Sequence, residues 1–122
     1  MKVCISSTGK TTGESLDRKF GRCGYFIIAD TESGNYTAIE NEAAISGGGA
    51  GISAAQLVSE KGAEVVITGN VGPNAMDVLN AAGIMIYQGT DASVKENIES
   101  FKAGLLKKIT ENVPPHSGMG SR

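Results

Sequence analysis

A cysteine beside an arginine is the most chemically suggestive feature of this sequence. Cys23 directly follows Arg22 and lies between Gly21 and Gly24. A neighbouring cation favours the thiolate form of a cysteine, and the thiolate is the form that binds metals. We therefore expect Cys23 to be a reachable metal ligand and Arg22 to contact an anionic ligand. The structural alternative is that Cys23 is only a small residue at the start of a strand.

Few other side chains could bind a soft metal ion. Cys4 lies between Val3 and Ile5 in an apolar run, and we expect it to pack in the core, as buried free cysteines commonly do. His116 is the only histidine of the chain, and a single histidine is a weak metal signal. It stands near Met119, close to the C-terminus, where it could add a soft ligand.

The composition restricts the class of protein and its partners. The chain has 122 residues, a net charge of −2 and 17 glycines, which is about twice the usual share of glycine. Its length fits one domain, and the absence of a basic excess argues against nucleic-acid binding. We find no apolar run of transmembrane length and no signal-peptide pattern, so we expect no membrane attachment and a cytoplasmic location with reduced thiols.

Strands and helices must position these residues. Apolar and β-branched runs bounded by turn residues predict five strands. They are Lys2–Ser7, Tyr25–Asp30, Tyr36–Asn41, Glu64–Thr68 and Ile84–Tyr87. Helical spacing, a proline at a first helical position and a terminal glycine predict helices over Ile52–Lys61 and Pro73–Ala82. The region between the first two strands is polar and glycine-rich, and we interpret it as a loop.

A third helix is predicted after the fifth strand. The capping box formed by Ser93 and Glu96 opens it. Its apolar face is predicted to consist of Val94, Ile98, Phe101 and Leu105. We expect the helix to end near Asn112, which gives a single domain over residues 1–112. The proline- and glycine-rich segment 113–122 is predicted to be a disordered tail.

The order of these elements predicts a mixed α/β sheet of five strands with helices on its faces. The two strand–helix–strand crossovers give parallel pairs, and the hairpin makes the second strand antiparallel. Five segments should then meet at the carboxyl edge of the sheet, where open α/β sheets bind ligands. They are Ser6–Gly9, Gly21–Gly24, Gly47–Gly51, Gly69–Asn74 and Gln88–Asp91. Two helix N-termini, at about Gly51 and Pro73, should favour an anion there, unless the glycines merely form turns.

Three enzyme patterns lack residues that they require. Residues 9–11 imitate the end of a phosphate-binding P-loop, but Cys4 stands where that pattern needs glycine. Residues 49–54 fit a dinucleotide fingerprint loosely, yet no strand leads directly into them. A nucleophile would need a base, and the single histidine lies near the C-terminus. We expect a protein that binds rather than an enzyme.

Six short motifs in order, over residues 1–106, resemble the dinitrogenase iron–molybdenum cofactor biosynthesis family of NifX/NifB type. They are Asp17–Cys23, Tyr25-Phe26, Ile39–Asn41, Gly47–Gly51, Gly69–Ala75 and Ala82–Ile84. The resemblance implies a ribonuclease H-like fold with strand order 3-2-1-4-5. Some members are similar to the orange protein, which holds a molybdenum–copper sulfide cluster.

The resemblance also implies a function and a site. It implies binding, carriage or assembly of a metal–sulfur cluster, of iron–molybdenum or molybdenum/copper sulfide type, with a cofactor donor or acceptor protein as partner. The residues carried over are Arg22, Cys23, Gly47, Gly48, Gly49, Gly51, Gly72, Pro73 and Asn74. Many relatives end in a tail rich in His, Cys or Met. This chain has only His116 and Met119 there.

Two other functions compete with cofactor carriage for this fold. A regulatory module that binds a small anion or a nucleotide, and acts through a protein partner, would use the same glycine-rich edge. A nuclease would need carboxylates on the central strands to hold magnesium. Strand one instead offers Cys4 and Ser6, and the fourth strand has no acid within Val65–Thr68, so a nuclease is excluded.

Overall fold

Six strands form one open mixed sheet in the computed structural model, which describes residues 1–45 and 49–109. The strands are β1 (Lys2–Ser7), β2 (Tyr25–Asp30), β3 (Tyr36–Glu40), β4 (Val65–Thr68), β5 (Met85–Gln88) and β6 (Lys107–Ile109). Their order across the sheet is β3-β2-β1-β4-β5-β6. β1, β4 and β5 are parallel, whereas β2 is antiparallel to both β1 and β3, and β6 is antiparallel to β5.

Three α-helices and one short 3₁₀ helix cover the sheet. The α-helices are α1 (Ala50–Glu60), α2 (Pro73–Ala81) and α3 (Val94–Lys102), and the 3₁₀ helix spans Glu42–Ile45. Gly62 and Gly83 follow α1 and α2 with φ of 81° and 77°, the left-handed conformation that ends helices and that glycine adopts without strain. Within the described residues, the structure has no helix long and apolar enough to cross a membrane.

The alternating side chains of the strands divide the core between the two faces of the sheet. Cys4, Val66 and Ile86 point to the face that α1 and α2 cover, which we call the α1–α2 face. Their strand neighbours Ile5 and Ile67 point to the other face, which α3 covers and which we call the α3 face. Because both sides of the central strands are buried, β1 is apolar from Val3 to Ile5 and β4 is apolar from Val65 to Ile67.

The predicted five-stranded order is confirmed for β1 to β5, but the sheet has a sixth strand. α3 ends at Lys102, and Gly104 follows with φ 75°, so the predicted continuation of the helix towards Asn112 is wrong. Leu105, predicted on the apolar face of that helix, is 75% exposed. β6 has only three residues, two of them lysines, and gives no period-2 apolar signal. The predicted tail, 113–122, with His116 and Met119, lies outside the described residues.

The predicted loop between β1 and β2 is an ordered covering of the sheet edge. Leu16 and Phe20 are buried, and the Phe20 ring lies 5.4 Å from that of Phe26. The backbone N–H of Asp17 donates to Ser6 O at 2.9 Å, and Ser7 forms a β-bridge with Leu16. The chain therefore folds back over the carboxyl end of β1 before it enters β2.

Candidate anion-binding site

The carboxyl edge brings the predicted segments together by close backbone contacts. Asn70 N–H donates to Arg18 O at 2.6 Å, and Phe20 N–H donates to Asn70 O at 3.3 Å. A methyl group built on Gly69 would lie 2.6 Å from the Arg18 Cα, closer than any real contact. The loop after β1 therefore packs tightly on the loop after β4, and glycine at position 69 permits this approach.

The starts of α1 and α2 join the same edge. A methyl group on Gly21 would lie 2.9 Å from the Gly51 Cα, and one on Gly51 would lie 3.2 Å from the Ala75 Cβ. These contacts place the segment before Cys23, the first turn of α1 and the first turn of α2 side by side. The predicted meeting of the Gly21–Gly24, Gly49–Gly51 and Gly69–Asn74 segments is confirmed for the residues that the structure describes.

The loop after β5 and the end of β1 complete the edge. Arg18 Nη1 lies 2.7 Å from Asp91 Oδ1 in an exposed ion pair, and Gln88 Nε2 donates to Gly69 O at 3.0 Å. Inside the edge, the hydroxyls of Ser6 and Thr68 are 2.6 Å apart and fully buried. The site is thus fixed by interactions between loops that follow three different strands.

The N-cap residues of α1 and α2 provide no side-chain cap. The N-cap residues are Gly49 and Gly72, and the first turn of each helix contains no acidic residue. No residue of the described chain accepts a hydrogen bond from the backbone N–H groups of Asn74 and Ala75. Such N–H groups and the positive end of the helix dipole are suited to an anion.

Among the described residues, no contact requires glycine at position 72. Its φ is −72°, a value that any residue adopts, and a methyl group built on it would meet no atom within 4 Å. Gly72, Pro73 and Asn74 are all exposed. The open space in front of the α2 N-terminus therefore allows a bound molecule to approach the backbone closely.

The prediction of a reachable, low-pKa thiolate at Cys23 is wrong for this structure. The Cys23 side chain is fully buried, and its thiol donates to Phe20 O at 3.4 Å. Burial, followed by the nearby negative charge of Asp17, raises the pKa of Cys23 to about 12. Sequence adjacency to Arg22 misled the prediction because the two side chains point to different environments. Cys4 is fully buried, as predicted.

Arg22 lies at the rim of the site and joins two of its loops. It is exposed, and its Nη1 donates to Ala44 O at 2.8 Å, in the 3₁₀ helix that leads to the glycine-rich loop. Of that loop, Gly49 is described, whereas Gly47 and Gly48 lie outside the described residues. The guanidinium is therefore held beside the 3₁₀ helix, and the neighbouring Gly21 packs against the first turn of α1.

Asn41 also lies at this edge, and the sequence indicates it only as the last residue of the Ile39–Asn41 motif. It is 4% exposed, and its side-chain Nδ2 donates to Gly21 O at 3.1 Å and to Cys23 O at 2.9 Å. Its Oδ1 accepts from Ala43 N–H at 3.2 Å. A polar residue between a strand and a glycine-rich loop is a weak sequence signal, since most such residues are exposed turns.

The donors of the edge are suited to hydrogen bonding rather than to metal ligation. Among residues 1–45 and 49–109, no group of three or more His, Cys, Asp or Glu side chains could hold a metal ion. What the edge presents is backbone N–H groups and the Arg22 guanidinium. Such a set fits an anionic molecule that is held by charge and N–H contacts and released without breaking several metal–ligand bonds.

Comparison with known proteins defines the class to which this fold and site belong. Residues 1–104 match the family model described as dinitrogenase iron-molybdenum cofactor. The chain therefore belongs to the dinitrogenase iron–molybdenum cofactor family, of NifX type and with orange-protein-like members, and the resemblance predicted from its motifs is confirmed.

Three similar proteins illustrate the family. The apo form of the orange protein from Desulfovibrio gigas has a TM-score of 0.89 and 29% identity, over 93% of this chain and 96% of that chain. A candidate NifB protein from Thermotoga, solved by NMR, has a TM-score of 0.82 and 38% identity, over 93% and 97% of the two chains. The uncharacterized protein MJ0580 of Methanocaldococcus jannaschii is 36% identical over 97 residues, which are 77% of this chain and 82% of that protein.

Proposed function

We propose that this protein binds a metal–sulfur cofactor as cargo, of iron–molybdenum or molybdenum/copper sulfide type, and passes it to another protein. The observation that carries the proposal is the pair of N-termini of α1 and α2, which lie side by side and against Gly21, the residue before Arg22. Membership of the cofactor family supports it. The partner is a cofactor donor or acceptor protein, and the exchange takes place in the cytoplasm.

The physical basis is the charge and softness of a sulfide cluster. Its sulfurs carry negative charge and accept hydrogen bonds from N–H groups, so a helix N-terminus stabilises it as it would a phosphate. Arg22 adds a counter-charge at the rim. A carrier with few direct metal ligands releases its cargo readily, because protein ligands exchange more slowly than hydrogen bonds break.

We also propose that the protein does not transform its cargo. Two acidic side chains at the edge are already engaged: Asp17 Oδ1 accepts from Lys19 N–H at 3.0 Å, and Asp91 pairs with Arg18. Neither is placed as a free general base. We also propose that β1 to β5 have a ribonuclease H-like arrangement. The carboxylates with which nucleases hold magnesium are missing from β1 and β4.

The test is an anaerobic titration with tetrathiomolybdate, a simple molybdenum–sulfide anion, monitored by its charge-transfer absorption. The parent protein should saturate near one equivalent. Gly72→Asp should weaken this binding by about tenfold or more, because the new carboxylate occupies the N–H groups of α2 and repels the anion. The same substitution should raise the melting temperature, since an aspartate caps the helix.

Gly72→Ala is the matched control, because it adds a side chain at the same open position without a charge or a cap. Its methyl group crowds the approach to α2, so it should bind somewhat more weakly than the parent but more tightly than Gly72→Asp. Equal binding by the parent and Gly72→Asp would reject the α2 N-terminus as the site. Stabilisation of the parent by nucleotides, with no uptake of tetrathiomolybdate, would instead favour the regulatory module.

A further inference from the structure

Asn41 connects the two loops that frame the candidate site. One loop contains Gly21 and Cys23, and the other is the 3₁₀ helix that begins at Glu42. Besides the side-chain bonds already described, the Asn41 backbone N–H donates to Gly24 O at 3.0 Å, and its carbonyl accepts from Ala44 N–H at 3.0 Å. Both the main chain and the side chain of this one residue therefore hold the loops together.

The Asn41 side chain also contacts the buried Cys23 thiol. Asn41 Nδ2 lies 3.6 Å from Cys23 Sγ, and Phe20 O lies 3.4 Å from it on the other side. Asn41 Nδ2 donates to the carbonyls of Gly21 and Cys23, the residues on either side of Arg22. The same amide therefore fixes the backbone position of Arg22. Its guanidinium then reaches Ala44 O at 2.8 Å, one residue beyond Ala43, which Asn41 also binds.

We propose that Asn41 is the positioning residue of the anion-binding edge. It holds Arg22 at the rim, where it faces the anion, and it keeps the Cys23 thiol sealed from solvent. This inference rests on the proposed function for the identity of the anion, but the positioning itself is independent of any cargo. Arg22 is the residue that acts on the ligand, and Asn41 acts through it.

The chain offers a matched control for a buried asparagine. Asn97, on the α3 face, is fully buried, accepts from Thr90 N–H at 2.8 Å and donates to Ser93 O at 3.0 Å. It orders the loop after β5, which contributes Asp91 to the edge, by the same chemistry as Asn41, but it forms no hydrogen bond with Arg22 or Cys23 among the described residues. Substitution of either asparagine removes buried amide hydrogen bonds and costs stability; only Asn41 should change the site.

The experiment compares Asn41→Asp with Asn97→Asp, since aspartate keeps the shape and the acceptor but loses the amide donors. Native protein is treated with a thiol reagent, and peptide mapping separates labelling of Cys23 from labelling of Cys4. In Asn41→Asp, Cys23 should react roughly tenfold or more faster than in the parent, because its loop opens locally, while Cys4 stays protected. Asn97→Asp should leave both rates near the parent values. If Asn41→Asp does not fold, the milder Asn41→Ser is judged by the same criteria.

Two results would overturn the proposal. One is an unchanged Cys23 rate in the folded variant. The other is equal acceleration of Cys4 and Cys23, which would show general loss of stability rather than release of one loop. Tetrathiomolybdate titration then tests the link to binding, which Asn41→Asp should weaken and Asn97→Asp should not. If the parent binds no tetrathiomolybdate while Cys23 is selectively released, the proposed function fails and the positioning role stands.

Discussion

The two faces of the sheet treat the N-termini of their helices in opposite ways. On the α3 face, Ser93 Oγ accepts from Glu96 N–H and Glu96 Oε1 accepts from Ser93 N–H, both at 3.0 Å. On the α1–α2 face, the helices begin at Gly49 and Gly72 without a side-chain cap. A cap contributes about 1 kcal/mol, so the α1–α2 face gives up stability and keeps its donors available. This difference is expected if the α3 cap serves the fold and, as we propose, the uncapped ends serve a ligand.

The glycines that follow the strands divide in a similar way, into positions that permit close packing and one that does not. Gly69 and Gly89 are buried positions where an added methyl group would meet Arg18 at 2.6 Å or Leu16 at 2.4 Å. Gly72 is exposed, and nothing lies near it. Packing therefore explains the first two glycines but not the third, for which we propose the approach of a bound molecule.

The largest expected effect concerns the reactivity of Cys23. Because its folded-state pKa is about 12, the thiolate is scarce at pH 8, and burial blocks access. We predict that Cys23 in the native parent reacts with a thiol reagent at least about a hundredfold more slowly than in the unfolded chain. Cys4 should also be protected, since burial raises its pKa. Rapid reaction of one thiol in the native protein would show that the reagent reaches the core on the α1–α2 face.

Substitution of glycine should separate packing from ligand approach. Gly69→Ala should lower the free energy of unfolding by about 2–4 kcal/mol, because the loop carrying Arg18 must move away from the sheet. Gly72→Ala should change it by less than about 0.5 kcal/mol. Urea unfolding measures both. Similar losses for the two variants would mean that Gly72 also has a packing role.

Much of the framework could be predicted from the sequence, because it depends on local patterns. The apolar run Val65–Thr68 determines β4, and the capping box at Ser93 determines the start of α3. Both depend only on residues that are close in sequence. The convergence of the loops at the carboxyl edge followed from topology. β6 could not be predicted, because a three-residue strand with two lysines depends on pairing with β5 rather than on its own pattern.

The chemistry of individual side chains was harder to predict than the place of the site. Burial of Cys23 depends on Phe20 folding back into the core and on Asn41 arriving from 18 residues further along the chain. Neither contact is visible in the local sequence, where Arg22 is the nearest charge. The role of Asn41 was missed for the same reason: its partners are distant in sequence.

A smaller effect is expected from removal of the α3 cap. Ser93→Ala should reduce the free energy of unfolding by about 1 kcal/mol, since the Glu96 N–H loses its acceptor. Thermal unfolding measures this change, and tetrathiomolybdate binding should stay at the parent level because α3 lies on the other face. Weaker binding by Ser93→Ala would show that the two faces are coupled and would undermine the comparison.

The smallest effect is the pH dependence of that same cap. Hydrogen bonds from the Ser93 backbone N–H and side chain lower the pKa of the exposed Glu96 carboxyl. A pKa that is lower in the folded state means that the stabilisation is complete above the unfolded value, about 4.3, and is lost as the pH falls through the folded value. The parent should therefore be more stable than Glu96→Gln at neutral pH, and the difference should shrink as the solution becomes more acidic than about pH 4. Melting temperatures of the two proteins between pH 7 and pH 3 would measure it, with Glu99→Gln on the same helix as the control for general charge. A difference that stayed constant into acid would mean that the ionised carboxylate does not contribute to the cap.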